Sequence, residues 1–195
     1  MPEKEPPTLR ITDPQSIRAL AHPLRLQLID VLGEEPELTA TRCAELTGES
    51  VASCSFHLRM LAKYGYVEPG ERRGREKPWR LVSSRQDMRP DVDDAASVRA
   101  VEALAAVVVE REAARTLGWL RRMPNEAPDW VDASTISRSS FWATAEELAE
   151  VSATLQAIAE RFAGRWEKPG ERPEGARPVR VFATAMPDAE QETAR

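Results

Sequence analysis

Two short helical segments separated only by Thr47, Gly48 and Glu49 constrain this chain more than any other feature. Thr39 can cap the first, which runs to Leu46 and is closed by Gly48. Ser50 can cap the second, which runs to Tyr64 and is closed by Gly65. A short polar side chain accepts the free amides at each start, and glycine tolerates the left-handed backbone at each end. Short helices joined by a glycine-containing turn of about 3–4 residues make a helix-turn-helix.

The residues before this motif supply two more helices. Asp13-Pro14 and His22-Pro23 are each a cap followed by proline, which has no amide to donate and is therefore welcome at the first helical position. Ile17, Leu20 and Ala21 give the first helix an apolar stripe, and Leu24, Leu28, Val31 and Leu32 give the second one before Gly33 ends it. After the motif, Tyr66 to Glu68 and Pro78 to Val82 read as two short strands around the charged loop Pro69 to Lys77, a candidate wing.

Beyond Ser83 to Asp93 a long helix is predicted from Asp94 to Met123, ended by Pro124, with Val98, Val101, Leu104, Ala105 and Val108 on its apolar side. Thr135 to Trp142 alternates as a strand, and Pro178 to Thr184 is a second strand candidate. Between them, Thr144 and Glu147 form a capping box that opens a helix through Ala163, with Leu148, Val151, Leu155 and Ile158 on its core side. The fold class is therefore mainly α with a small β component. Residues 1–12 are expected as a flexible arm, 13–82 as a winged helix-turn-helix and 83–93 as a linker. Residues 94–184 follow as a helical dimerisation and effector region with a short β element, and 185–195 as a flexible tail.

Composition narrows the function classes. The 195 residues carry 27 Lys+Arg against 32 Asp+Glu, a net charge of −5, with two Cys and two His. Residues 10–82 hold 11 basic and 10 acidic groups while 83–195 hold 15 and 20, so the acidity belongs to the second half. Two Cys exclude a disulfide scaffold, and with two His they leave a metal or Cys/His catalytic site short of ligands. With no nucleophile beside a base and no glycine-rich phosphate loop, neither an enzyme nor a cofactor is expected. The longest uncharged apolar run, Ala103 to Val109, falls far short of the roughly 20 residues of a membrane span, and the N-terminus lacks a secretory pattern. The expected location is the cytoplasm.

At about 100° per residue, Cys54, Leu58 and Leu61 share one side of the second motif helix, with Ala52, Phe56, Arg59 and Lys63 opposite. Val51, Ala52 and Phe56 could meet thymine methyls in a major groove, while Ser53 and Ser55 offer hydroxyls to bases or phosphates. A solvated amphipathic helix is the plain alternative, and Phe56 argues against it because an aromatic ring suits water poorly. In the wing, Arg72, Arg73, Arg75 and Lys77 stand against two acidic residues and would neutralise phosphates. His22 reads as a cap or packing residue, and His57 as packing or reaching a phosphate. Cys43 and Cys54 read as small buried hydrophobes, with a thiol switch as the alternative. Trp119, Trp130, Trp142 and Trp166 either wall an effector pocket or pack in a core or dimer interface.

The run Ala19-Leu20-Ala21-His22-Pro23-Leu24-Arg25-Leu26, together with the stretch from Ser53 to Val67, resembles the ArsR-type winged helix-turn-helix regulators over residues 13–82. The resemblance implies a homodimeric transcriptional regulator whose second motif helix enters the major groove of double-stranded DNA and whose wing touches flanking DNA; the expected form is a repressor, and its two-fold dimer should read an inverted-repeat operator. It assigns Ser50, Val51, Ser53 and Phe56 to base-reading or groove-edge positions, and Ser55, His57, Arg72, Arg73 and Arg75 to backbone contacts. Arg59 and Lys77 complete the candidate DNA-binding set. Where many members carry metal-binding Cys pairs, Thr39 to Ala44 holds Cys43 alone, and soft metals want several thiolates. The family's other metal site needs His beyond Gly65, and there is none. Control by metal is thus not expected, and if the protein is controlled, the expected source is an organic effector, a partner or a dimer-level change in the C-terminal half. The alternative function is a winged-helix module that docks another protein and does not bind DNA.

Overall fold

The computed structural model describes residues 9–11, 13–35, 37–71, 77–83, 86–88, 90–162, 165 and 168–188. In chain order the elements are β1 (Leu9–Ile11), α1 (Pro14–Leu20), α2 (Pro23–Glu34), α3 (Ala40–Thr47), α4 (Val51–Lys63), β2 (Val67–Pro69), β3 (Trp79–Leu81) and β4 (Gln86–Met88). They are followed by α5 (Ala95–Arg122), α6 (Pro128–Asp132) and α7 (Ala145–Glu160), with 3-10 turns at Met123–Asn125 and Pro169–Glu171. This is a winged helix-turn-helix followed by a helical region.

The first four helices start where a polar side chain replaces a missing backbone acceptor. Asp13 takes the Ser16 amide at 2.8 Å, and His22 Nδ1 takes the Leu24 amide at 3.2 Å. Thr39 and Ser50 cap α3 and α4 in the same way. Gly48 closes α3 at φ 75°, a conformation that a side chain would oppose, and its amide donates to the Ala44 carbonyl.

Leu24, Leu28 and Leu32 of α2, Cys43 of α3, and Cys54, Leu58 and Leu61 of α4 are buried together, joined by Ile17 and Leu20 of α1 and by Val67 of β2. Tyr66 is buried beside them, and its hydroxyl donates to the Ser16 carbonyl at 2.7 Å, so its polar end is satisfied. β2 and β3 pair antiparallel, with Val67 opposite Leu81 and Pro69 opposite Trp79, and Leu38 bridges to Trp79 from the other side.

Several expectations are corrected. Residues 9–11, read as the end of a flexible arm, form β1, and residues 86–88, read as linker, form β4. The two strands pair in parallel, Leu9 with Gln86 and Ile11 with Met88. Ile11 is buried in the common core, and burying that branched side chain while satisfying the strand amides outweighs the polar composition around it. The boundary expected at 93/94 also moves, because α5 enters the same core through Ser97, Ala100 and Leu104 and the chain divides instead between Leu117 and Gly118. On α5, Leu104 is buried and Val101 and Val108 pack against the core as predicted, but Ser97 and Ala100 join them in place of Val98 and Ala105. Val98 is 40% exposed and Ala105 is exposed, because the small side chains of Ser97 and Ala100 let the helix approach closely. Arg111 and Arg115 of α5 both reach Asp30 of α2, and Arg111 donates to the Pro23 carbonyl at 3.1 Å.

The second unit, Gly118–Arg195, has the expected capping box. The Thr144 hydroxyl accepts from the Glu147 amide at 3.2 Å and the Glu147 carboxylate accepts from the Thr144 amide at 2.7 Å. α7 ends at Glu160, short of the expected Ala163, which lies outside the described residues. Leu148, Val151, Leu155 and Ile158 are half-buried rather than core. Arg177 grips Glu126 with two hydrogen bonds of 3.0 and 2.9 Å and lies 4.8 Å from the centre of the Trp130 ring. The strands expected over Thr135 to Trp142 and Pro178 to Thr184 are absent, as neither stretch has a neighbouring strand to take its backbone groups. Of the expected tail, residues 185–188 carry no regular structure and 189–195 lie outside the described residues.

Candidate nucleic-acid interface

α4 is fixed by burial on one side and open on the other. Cys54, Leu58 and Leu61 anchor it, while Val51 is 46% and Phe56 53% exposed, with Ala52 and Arg59 also exposed. The helix therefore presents Ala52, Phe56 and Arg59 on its outward side, with Val51 exposed at its first position. The serines are more committed than the sequence suggested. The Ser50 hydroxyl accepts from the Ser53 amide at 3.1 Å, and the Ser55 hydroxyl accepts from Arg59 Nη1 at 2.7 Å, which holds that guanidinium against the helix.

His57 connects this surface to α2. Its ring meets the edge of Phe56 at 5.1 Å and lies 4.4 Å from the ring of His22, with an interplanar angle of 38°. Its Nδ1 is buried without a hydrogen-bond partner. Burial pushes the pKa of both histidines down, Arg25 and the neighbouring imidazole push that of His57 further, and Glu49 pulls back on both. Both rings are accordingly neutral at pH 7. Neutral His22 Nδ1 is also what the cap requires, since only an unprotonated nitrogen can accept from Leu24.

At the wing, Arg72, Arg73 and Arg75 lie outside the described residues, and Lys77 is exposed at the start of the returning strand. The base is closed by the Gly70 amide donating to the Pro78 carbonyl at 2.8 Å and by Arg80 paired with Glu68 at 2.8 Å. A Cβ at Gly70 would come within 2.6 Å of Glu37 Oε1, the end of a side chain that would have to shift.

The cysteines lie in the core. Burial pushes the Cys43 thiol up to about 12, with Cys54 and Glu35 adding to the shift, so it stays protonated and unreactive at neutral pH. Cys54 Sγ is 3.5 Å from the Thr47 hydroxyl. Among the described residues no three of His, Cys, Asp and Glu converge on a metal position. Trp119 and Trp130 are half-buried, Trp142 is 90% exposed, and Trp166 lies outside the described residues. Among the described residues no helix is long and apolar enough to cross a membrane.

Residues 20–69, which hold α2 to β2, match a family model described as a helix-turn-helix domain. This chain carries a helix-turn-helix domain. The chain is also similar to two solved structures. One is the homodimeric winged helix-turn-helix DNA-binding domain of Mb0332 from Mycobacterium bovis, a possible ArsR-family transcriptional regulator. It is 24% identical over 50% of this chain and 77% of that one, with a TM-score of 0.33. The other is a mutant ZitR of Lactococcus lactis in its apo form, 19% identical over 73% of this chain and 83% of that one, with a TM-score of 0.31. No curated protein matches the chain.

Sequence reasoning missed Arg25 and the stacked histidines as a group. The signal available was their spacing, because His22 and Arg25 share a face of α2 and His57 lies one residue beyond Phe56.

Proposed function

We propose that the protein is a sequence-specific DNA-binding transcriptional regulator, a repressor acting as a homodimer and not controlled by metal. The observation that carries this reading is the outward surface of α4, where Val51, Ala52 and Phe56 stand exposed on a helix whose other side is locked in the core. In the reading, that surface enters the major groove with Ser53 at its edge. His57, Ser55 and the wing residues Arg72, Arg73, Arg75 and Lys77 then meet the sugar-phosphate backbone.

Dimerisation is supported by the outer side of α5. Val98, Val109 and Leu117 are 40%, 51% and 55% exposed, and Ala105 and Ala113 lie between them at helical spacing. A second copy would remove this stripe from water. The metal-free reading is supported by the protonated Cys43 thiol and the small ligand inventory. An organic effector would find apolar lining in the open depression of about 420 Å³ bordered by Phe141, Trp142, Val151 and Leu155.

Selection of bound duplexes from a random pool tests the reading. The expected product is an inverted repeat with half-sites centred about 10 base pairs or a multiple apart, whose affinity falls steeply as salt rises. Absence of duplex affinity at low salt would contradict it and favour the protein-docking module.

A further inference from the structure

Parts of α1, α2 and α4 carry cations and no acidic residue. From Pro14 to Ile29 and from Val51 to Val67 no acidic residue occurs, although the chain has 32. The same stretches carry Arg18, Arg25, Arg59, Lys63 and both histidines. Gln15, Arg18, Ala19, Arg25, Met60 and Tyr64 line an open groove of about 230 Å³ between these helices. Among the described residues neither Arg18 nor Arg25 pairs with a carboxylate, and Arg25 Nε is buried without a hydrogen-bond partner. Asp13, at the start of α1, has its carboxylate engaged by the Ser16 amide and hydroxyl. A half-buried guanidinium with no anion is a cost that a bound anion would offset.

The groove is continuous with the surface assigned to base reading. Phe56 meets His57, His57 stacks on His22, and His22 caps the helix whose first turn carries Arg25. Along α4, Phe56, Met60 and Tyr64 recur every four residues and span about 12 Å, close to the roughly 12 Å width of a major groove. With Phe56 at the bases, the Met60 to Tyr64 end and the groove beside it therefore reach the strand that borders them.

We propose that Gln15, Arg18, Arg25 and Tyr64 form a phosphodiester-binding groove that clamps the DNA backbone next to the bases read by α4, separate from the wing. The proposal rests on the DNA-binding reading above. Its chemistry is sequence-blind: the guanidinium forks take phosphate oxygens, and the Gln15 amide and the Tyr64 hydroxyl donate to them. The groove fixes the register of α4 in the major groove and contributes affinity without specificity.

The test is a salt titration of the full-length protein on two probes, its selected operator and a random 20-base-pair duplex. The variants are Arg18→Gln, Arg25→Gln and Gln15→Glu, each checked by thermal unfolding. Each arginine variant should weaken both duplexes equally and lower the slope of log affinity against log salt by about one unit. Gln15→Glu places a carboxylate at the exposed rim and should weaken both duplexes at least tenfold at low salt. Arg25→Lys, which keeps the charge, should retain most of the slope. Should Arg25→Gln fail to fold, the exposed Arg18 and Gln15 variants carry the test. Parental slope and affinity in these two would overturn the groove while leaving DNA binding intact. A parent protein without duplex affinity would overturn both readings.

Discussion

The two compact units of this chain contain helices of similar quality and cores of very different quality. Up to Leu117, capped helices close over a shared set of buried leucines, with Ile17, Leu20, Leu28, Leu58 and Leu61 all fully buried. Beyond it, α7 has a complete capping box, yet no described residue after Leu104 is buried, and Phe141, Trp142, Val179 and Val181 are all exposed. Local signals start and stop a helix within a turn of their own position, whereas burial needs a second surface of matching shape. The first unit finds that surface within itself for its leucines, while the outer side of α5 remains exposed. In the second unit the described apolar side chains stay half-buried or exposed.

The sharpest way to break this contrast is paired truncation. Leu58→Ala removes a fully buried side chain and should cost about 2–5 kcal/mol in chemical denaturation. Leu155→Ala on half-buried α7 should cost under about 1 kcal/mol at protein concentrations where the chain is monomeric. Equal costs would mean that the second unit owns a core. Next in size is Asp30→Ala, which removes the carboxylate that Arg111 and Arg115 share on α2. A loss of about 2 kcal/mol is expected, less than for a fully buried pair because these side chains keep some solvent.

The same contrast explains what could be read in advance. Asp13, His22, Thr39, Gly48, Ser50 and Gly65 announce themselves because capping and left-handed turns depend on the residue at that position alone. The outward surface of α4 followed from the 3.6-residue period once Cys54 and Leu58 were placed inside. Long-range events were not legible. The β1–β4 pairing joins residues far apart in sequence, and neither Leu9-Arg10-Ile11 nor Gln86-Asp87-Met88 is apolar enough to show by itself. The burial of Ser97 and Ala100 in place of Val98 and Ala105 went unseen because the apolar residues of α5 cover more than one face, so the pattern did not fix which edge of the stripe meets the core. Apparent alternation at Thr135 to Trp142 and Pro178 to Thr184 is a local signal for an element that exists only when paired.

Acid distinguishes the units by a smaller effect. Folded His22 and His57 bind protons less readily than in the unfolded chain, so the unfolded state holds more protons once the pH drops below about 6.5. Stability of the first unit should be full above that value and fall on acidification toward the lowered pKa values. In the second unit Arg177 and the Ala127 amide hold the Glu126 carboxyl at about 2, so that clasp should persist through the same window. Thermal melts between pH 7.5 and 5 followed by the exposed Trp142 and by amide exchange of α4 separate the two. Smallest is Thr144→Ala, which should raise exchange in the first turn of α7 by about 1 kcal/mol of lost capping and leave α4 exchange unchanged.

The central claim, that the exposed surface of α4 reads base sequence, is tested most directly by the ratio of affinities for the selected operator and a random duplex, measured for the parent and for Phe56→Ala at one salt concentration. The account predicts that the ratio falls about fivefold or more, as expected for a lost apolar contact with a base edge worth roughly 1 kcal/mol, while random-duplex affinity holds. An unchanged ratio, or an equal loss on both duplexes, would contradict it.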